Sequence, residues 1–289
     1  MRRCVPALLT LACLTVAIGT ASARVVYVNN RVGTDRSDGS SQQVIGEFAG
    51  PVWSISRALK LAGRGDSIHI TNTGVPYYDS LTLVGRRVSG SPLRPFRIIG
   101  NGAVLTGAMT LPPSAWQEVR TDVWKVVPHR KGHFQLVRDG EALPELRPAA
   151  GETWFRVPKL PDDHWCVFKG AMYFQAQRNA DPAEQGFAIA RRDCGITIMD
   201  AHDVRISGLL IRHFRLDGIQ LHDRAESITI DNVVLTGNGR AGLTVRGSSF
   251  VDVAQSAVRG NREFSILIEE RGGVEVIECE IDVDPTVRD

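Results

Sequence analysis

"ITIDNVVLTGNGRAGLTVRG", residues Ile228–Gly247, sets short apolar alternations between Asp-Asn and Gly-Asn-Gly breaks. The stretch just upstream, "VRISGLLIRHFRLDGIQLHD" from Val204 to Asp223, follows the same plan. Aligned on apolar triplets, Val204–Ile206 matches Ile228–Ile230, Val251–Val253 and Val274–Val276, in steps of 24, 23 and 23 residues. A second register, Gly195-Ile196, Gly218-Ile219, Gly242-Leu243 and Ser265-Ile266, steps by 23, 24 and 23. A third recurs as Leu209–Ile211, Val233–Leu235, Ser256–Val258 and Cys279–Ile281. Alternation with period two marks each piece as a strand. A repeat in the low twenties is too short for a propeller blade or a helix pair, and no leucine-rich signature is present. Three strands per repeat therefore predict an all-β coil that stacks on itself, one rung every ~4.8 Å. Gly208, Asn232 and Gln255 fall at one corner, where left-handed backbone and a ladder of stacked amides are expected. Asn238 and Asn261 share another corner.

These repeats resemble the right-handed parallel β-helix proteins of the pectate-lyase-like superfamily. The resemblance implies a right-handed coil with three strands per rung, and says little of activity, since the fold hosts many functions. "VVYVNNRVGTDRSDGSS" (Val25–Ser41) resembles the opening of secreted members, in which a strand, a Gly/Asp loop and a capping helix precede the first rung. "VWSISRALKLAG" (Val52–Gly63) fits the helix: Ile55, Ala58, Leu59 and Ala62 share one face and Gly63 can end it. "GDSIHI", "SLTLVG" and "FRIIGNGAVLTG", within Gly65–Gly107, read as early rungs. The period fails from Trp116 to Arg192. There "FQLVRDGEALPELRP" and "HWCVFKGAMYFQAQRNADP" resemble the small β-sandwich inserted into certain β-helix glycoside hydrolases. The chain thus divides into a leader (1–23), a cap with early rungs (24–115), a β-rich insertion (116–192) and late rungs (193–289).

Repeat logic places chemistry. In the strands starting at 196, 219, 243 and 266, alternation sends Thr197, Gln220, Thr244 and Leu267 outward. The next outward column is Met199, His222, Arg246 and Glu269, and the bend beyond it holds Asp200, Asp223, Gly247 and Glu270. The preceding bend brings Asp217, Arg240 and Glu263. The superfamily resemblance implies substrate along the outer face of one such sheet. Asp200 and Asp223, one rung apart, would hold carboxyls ~5 Å apart, the separation of a retaining glycosidase pair. The bland alternative is two turn aspartates bonded to their own backbone. Elimination on a uronate polymer is the second chemistry, with His222 as proton carrier and Arg246 beside it; no lysine follows Lys169 to serve as base. Gln220, Thr244, Asp217, Arg240 and Glu269 would contact the polysaccharide. Arg246 bridging His222 and Glu269 as a mere surface ladder is the competing account of that trio. A non-catalytic carbohydrate-binding role stays open, because only about four regular rungs follow the insertion. The last of them leaves a strand edge on which a second copy could dock.

The remaining signals bound the partners. With 289 residues, 43% hydrophobic, and net charge +2, the chain can bury a large core, and no strong field favours nucleic acid or an anionic membrane. Arg2-Arg3, the apolar run Val5–Ile18 and Ala21-Ser22-Ala23 form a secretory signal with cleavage after Ala23, so a secreted or periplasmic chain is expected. Of five cysteines, Cys166, Cys194 and Cys279 lie beyond it, too widely spaced for a disulfide framework or a zinc site. They are expected as buried thiols, or as one bridge and one thiol. No cofactor is expected. Calcium at Asp35 and Asp38 is the lesser reading, since their spacing is not that of an EF-hand loop.

Overall fold

The computed structural model describes residues 23–288, so nearly all of the expected leader lies outside the described residues. Three parallel ladders wind around one core. The first is a six-stranded sheet in the order Leu81–Val84, Ile196–Met199, Ile219–His222, Ala241–Val245, Phe264–Glu269, Thr286–Arg288. The second runs from Val25–Val28 through Ser67–Ile70, Phe96–Thr106, His202–Arg212, Glu226–Asp231 and Phe250–Ala254 to Gly273–Ile277. Phe96–Thr106 and His202–Arg212 turn a corner at left-handed Asn101 and Gly208. Their second halves head the third ladder, continued by Val234–Thr236, Ala257–Arg259 and Glu280–Ile281.

Cα register equates Ile196 with Ile219, Ile219 with Leu243 and Leu243 with Ile266, as the repeat predicts. These residues and their neighbours Ile198, Leu221 and Val245 are wholly buried. Each contributes roughly 1.5–3 kcal/mol by leaving water. The glycine that opens each rung has a steric reason. A Cβ on Gly218 would lie 2.8 Å from Gly242 O and 2.9 Å from Asn238 Nδ2, and one on Gly242 would lie 2.8 Å from Asn261 Nδ2. The amide ladder itself runs through Asn238 and Asn261: Asn238 Nδ2 donates to Asn261 Oδ1 at 2.9 Å, and Asn238 Oδ1 accepts from Phe214 N at 3.1 Å.

Some of these expectations are corrected and others are met. The corner of Gly208, Asn232 and Gln255 is left-handed, but its rungs are tied by backbone, as in Gly208 N to Asn232 O, rather than by stacked side-chain amides. The reason is that Gly208 offers no side chain and Asn232 is exposed to water. The capping helix spans Ile55–Leu61, shorter than its apolar window; Ser54 caps its start, and Ala62 N closes on Ala58 O before Gly63 is reached. It still buries Ile55, Ala58 and Leu59 against the first coil. Beyond Ile281, Thr286–Arg288 pairs with Leu267–Glu269 as a sixth strand of the first sheet. Cys166, Cys194 and Cys279 are all free thiols. Asp35 accepts bonds from Trp53 N, Ser54 N and Ser54 Oγ, and Asp38 from Ser40 N, which are turn and cap duties.

The insertion forms two four-stranded antiparallel sheets. Its pairing begins at Ala108–Thr110, which joins Phe187–Ala190, ahead of the break in period at Trp116. Asp139-Gly140 and Lys169-Gly170 are both left-handed throughout, the backbone that closes a two-residue hairpin. Trp116 and Phe174 both pack against Phe187, at ring-centre distances of 5.1 and 5.0 Å, in a core separate from the coil. The module is clamped to the coil by arginines from the bend that enters the first sheet. Arg215 Nη2 donates to Lys131 O (2.8 Å) and Gly132 O (3.0 Å), and Arg262 reaches Phe134 O (3.0 Å) and Glu145 Oε1 (2.9 Å).

Candidate functional site

The outer face of the six-stranded sheet carries a polar cluster. Asp217, wholly buried at the entry bend, accepts from Arg240 Nε at 2.8 Å and from Arg240 Nη2. At the exit bend Arg246 forms an ion pair with Glu269. His222 sits in register beside Met199, immediately after Leu221. Burial, and then the adjacent Arg246 guanidinium, hold its imidazole below the ordinary histidine range. It is therefore neutral at pH 7 and able to accept a proton. Among the described residues the terminal nitrogens of Arg246 make no hydrogen bond, which leaves a fork suited to a carboxylate.

Gln220 and Thr244 point away from the coil yet are not accessible to a polymer: Gln220 is 7% exposed and Thr244 0%. Thr244 lies on the strand Ala241–Val245, whose two ends are flanked by Arg240 and Arg246, and its Oγ1 has no partner. Gln220 Oε1 accepts from Cys194 Sγ at 3.1 Å, and burial pushes the Cys194 thiol up to about 11. Both residues are thus buried, which corrects their expected role as direct polymer contacts.

Asp200 and Asp223 occupy consecutive rungs of one left-handed column, with φ of 47° and 57°, continued by Gly247 at 67° and Glu270 at 60°. A Cβ on Gly247 would lie 2.5 Å from Asp223 O, which shows how tightly this column stacks. Both aspartates are exposed, and neither carboxyl makes a hydrogen bond or ion pair among the described residues. The structure thus places them one above the other at the exposed exit rim, with Asp223 close enough for its charge to act on the His222 imidazole.

Sequence reasoning missed the neighbouring cavity. About 670 Å³ of space lies between the module and the entry edge of the sheet, lined by Gln135 and Met172 of the module and by Asp193 and Arg215 of the coil. Arg215 and Arg130 both pair with Asp193; although burial opposes it, these guanidiniums hold that carboxyl below its usual range. Half the signal was present, since Arg192 and Arg215 stand 23 residues apart, one repeat. The other half belongs to the module, which has no period. No group of three or more His, Cys, Asp or Glu side chains among the described residues could hold a metal ion.

Comparison with known proteins agrees with this architecture. Residues 176–282 match the family described as a right handed beta helix region. Comparison with curated protein sequences gives no match. Among solved structures the chain is similar to "The complex structure of XylC with xylose", with TM-score 0.59 and 12% identity over 91% of this chain and 60% of that one. It is also similar to a structure described as "Glycoside hydrolase", with TM-score 0.60 and 11% identity over 86% of this chain and 68% of that one. The chain thus spans 60% of the first relative's length, and at such identities the likeness is one of fold. The coil is a right-handed parallel β-helix.

Proposed function

We propose that this is a secreted carbohydrate-active protein that binds a polysaccharide across the outer face of the six-stranded sheet and cleaves it. The observation that carries the reading is the convergence of His222, Arg246, Glu269, Arg240 and Asp217 on that face, beside a cavity roofed by the module. Elimination on a uronate unit uses this geometry most directly. The neutral imidazole of His222 takes the proton alpha to the carboxyl group, the electron pair becomes a C=C bond, and the C–O bond to the leaving sugar breaks. The leaving oxygen collects a proton from the imidazolium or from water. The Arg246 fork binds the uronate carboxylate and stabilises the charge that builds on it. Sugar-bound and hydrolase relatives of the same fold support the carbohydrate reading.

Hydrolysis through Asp200 and Asp223 is the second reading, favoured by their stacking one rung apart. It requires one carboxyl to hold a proton, which bound substrate would have to promote by excluding water from the rim.

Incubation with a panel of uronate-rich and neutral polymers, with and without calcium, tests both. Unsaturated products absorbing in the near ultraviolet, lost in His222→Ala, support elimination. Reducing ends without that absorbance, lost in Asp223→Asn, support hydrolysis. Binding with no turnover across the panel would overturn cleavage and leave a binding module.

A further inference from the structure

The outer face of the second ladder carries a column of charges sorted by sign. Cα register stacks Arg97, Arg205, Thr229, Asp252 and Glu275 in consecutive rungs. They leave the sheet on its solvent side, since Ile98, Ile206, Ile230 and Val253, each one position on from the first four, are wholly buried in the coil. None of the four charged side chains makes a hydrogen bond or ion pair among the described residues. Rungs lie ~4.8 Å apart, so Arg97 stacks on Arg205 and Asp252 on Glu275. Like charges stacked in this way repel within one chain, where alternating signs would attract. Two residues further along the same strands runs a second column, Ile99, Ser207, Asp231, Ala254 and Ile277. Ile277 is 45% exposed, and Ile99 and Ala254 are half-buried.

Both columns are self-complementary about the rung that holds Thr229 and Asp231. A two-fold axis lying between two such faces, along the strand Glu226–Asp231, turns the coil of one copy antiparallel to the other. It sets Arg97 opposite the partner's Glu275, Arg205 opposite the partner's Asp252, and Ile99 opposite the partner's Ile277, each contact being made twice. Packed sheets lie ~10 Å apart, a gap that an arginine and a carboxylate side chain bridge together. Only Asp231 meets its own charge. An anionic polymer would satisfy the arginine half alone, and a basic partner the acidic half alone. A reversed copy satisfies both. We infer that the outer face of the second ladder is the interface of an antiparallel dimer of this chain, held by Arg97 and Arg205 against Asp252 and Glu275. Five rungs give a face only ~19 Å tall, so the dimer is weak and dissolves in salt.

Sedimentation equilibrium of the protein at about 50 mM and about 500 mM sodium chloride is the test. A monomer–dimer equilibrium is expected at low salt, weakened about tenfold or more at high salt. Arg205→Glu and Asp252→Arg should each weaken association about tenfold or more, with unchanged circular dichroism. Mixed in equal amounts, these two variants should form a heterodimer. The reversed charges then face one another at one contact, while the other contact is native. Asp231→Asn should tighten the dimer by removing its like-charge contact. If either reversal fails to fold, Arg97→Glu and Glu275→Arg supply a second pair for the same mixing. A monomer at every concentration in low salt, a dimer indifferent to both reversals, or a mixture no more associated than its components would overturn the inference.

Discussion

Asp217 is fully enclosed, and both of its carboxylate oxygens are held by the guanidinium of Arg240 from the next rung, Nε to Oδ1 at 2.8 Å and Nη2 to Oδ2. Enclosure makes the pair asymmetric under mutation, because the Coulombic attraction mainly offsets the cost of dehydrating two ions. Arg240→Met should destabilise the chain by about 3–5 kcal/mol, since it strands a buried carboxylate. The double replacement Asp217→Leu with Arg240→Met should recover most of that loss. Urea unfolding of the single and double variants measures the coupling, and additive losses would show that the two groups act independently.

The pH dependence of stability should bear the mark of His213. Burial, with a lesser push from Arg212, lowers its pKa to about 4. The unfolded imidazole titrates near 6.5, so between these values the unfolded chain binds a proton that the folded chain refuses. Stability is therefore intact above pH 6.5 and lost as pH falls toward 4, by up to about 3 kcal/mol from this group. His213 is left-handed, with φ of 58°, a backbone that asparagine tolerates. His213→Asn should flatten the acid limb of a plot of urea midpoint against pH. An unchanged limb would assign the loss elsewhere.

Asn238 should matter more than its rung partner Asn261. It is fully buried and serves Phe214 N, while its own N and Nδ2 both donate to Asn261 Oδ1. Asn238→Ala leaves Phe214 N unpaired inside the coil and should cost about 2–3 kcal/mol; Asn261→Ala, nearer water, should cost about 1–2. Chemical denaturation of both variants checks the order as well as the size.

If His222 is the base, kcat/KM should rise with pH to a plateau that begins below the ordinary histidine range, because burial and Arg246 favour the neutral ring. Arg246→Lys keeps the charge but removes the planar fork, so it should lower kcat/KM by about tenfold or more and leave the fold intact. A profile rising through an ordinary histidine value, or full activity in Arg246→Lys, would count against these roles.

Much of this was readable from spacing alone. The steps of 23 and 24 residues gave the rungs, the inward column from Ile196 to Ile266, and the left-handed stack from Asp200 through Asp223 to Glu270, because parallel register puts repeat-equivalent residues directly above one another. The repeat also explains its glycines, which stand where a Cβ would strike the next rung or the asparagine ladder. Tertiary structure alone decided that Gln220 and Thr244 are buried, for alternation states which way a side chain leaves the sheet and is silent on what folds over it. It alone decided where the module sits, since that segment has no period to register it against the coil. The cavity follows from that seating: pairing of Phe187–Ala190 with Leu136–Arg138 brings Gln135 beside the end of the module, and Arg215 and Arg262 grip module carbonyls and hold it against the coil.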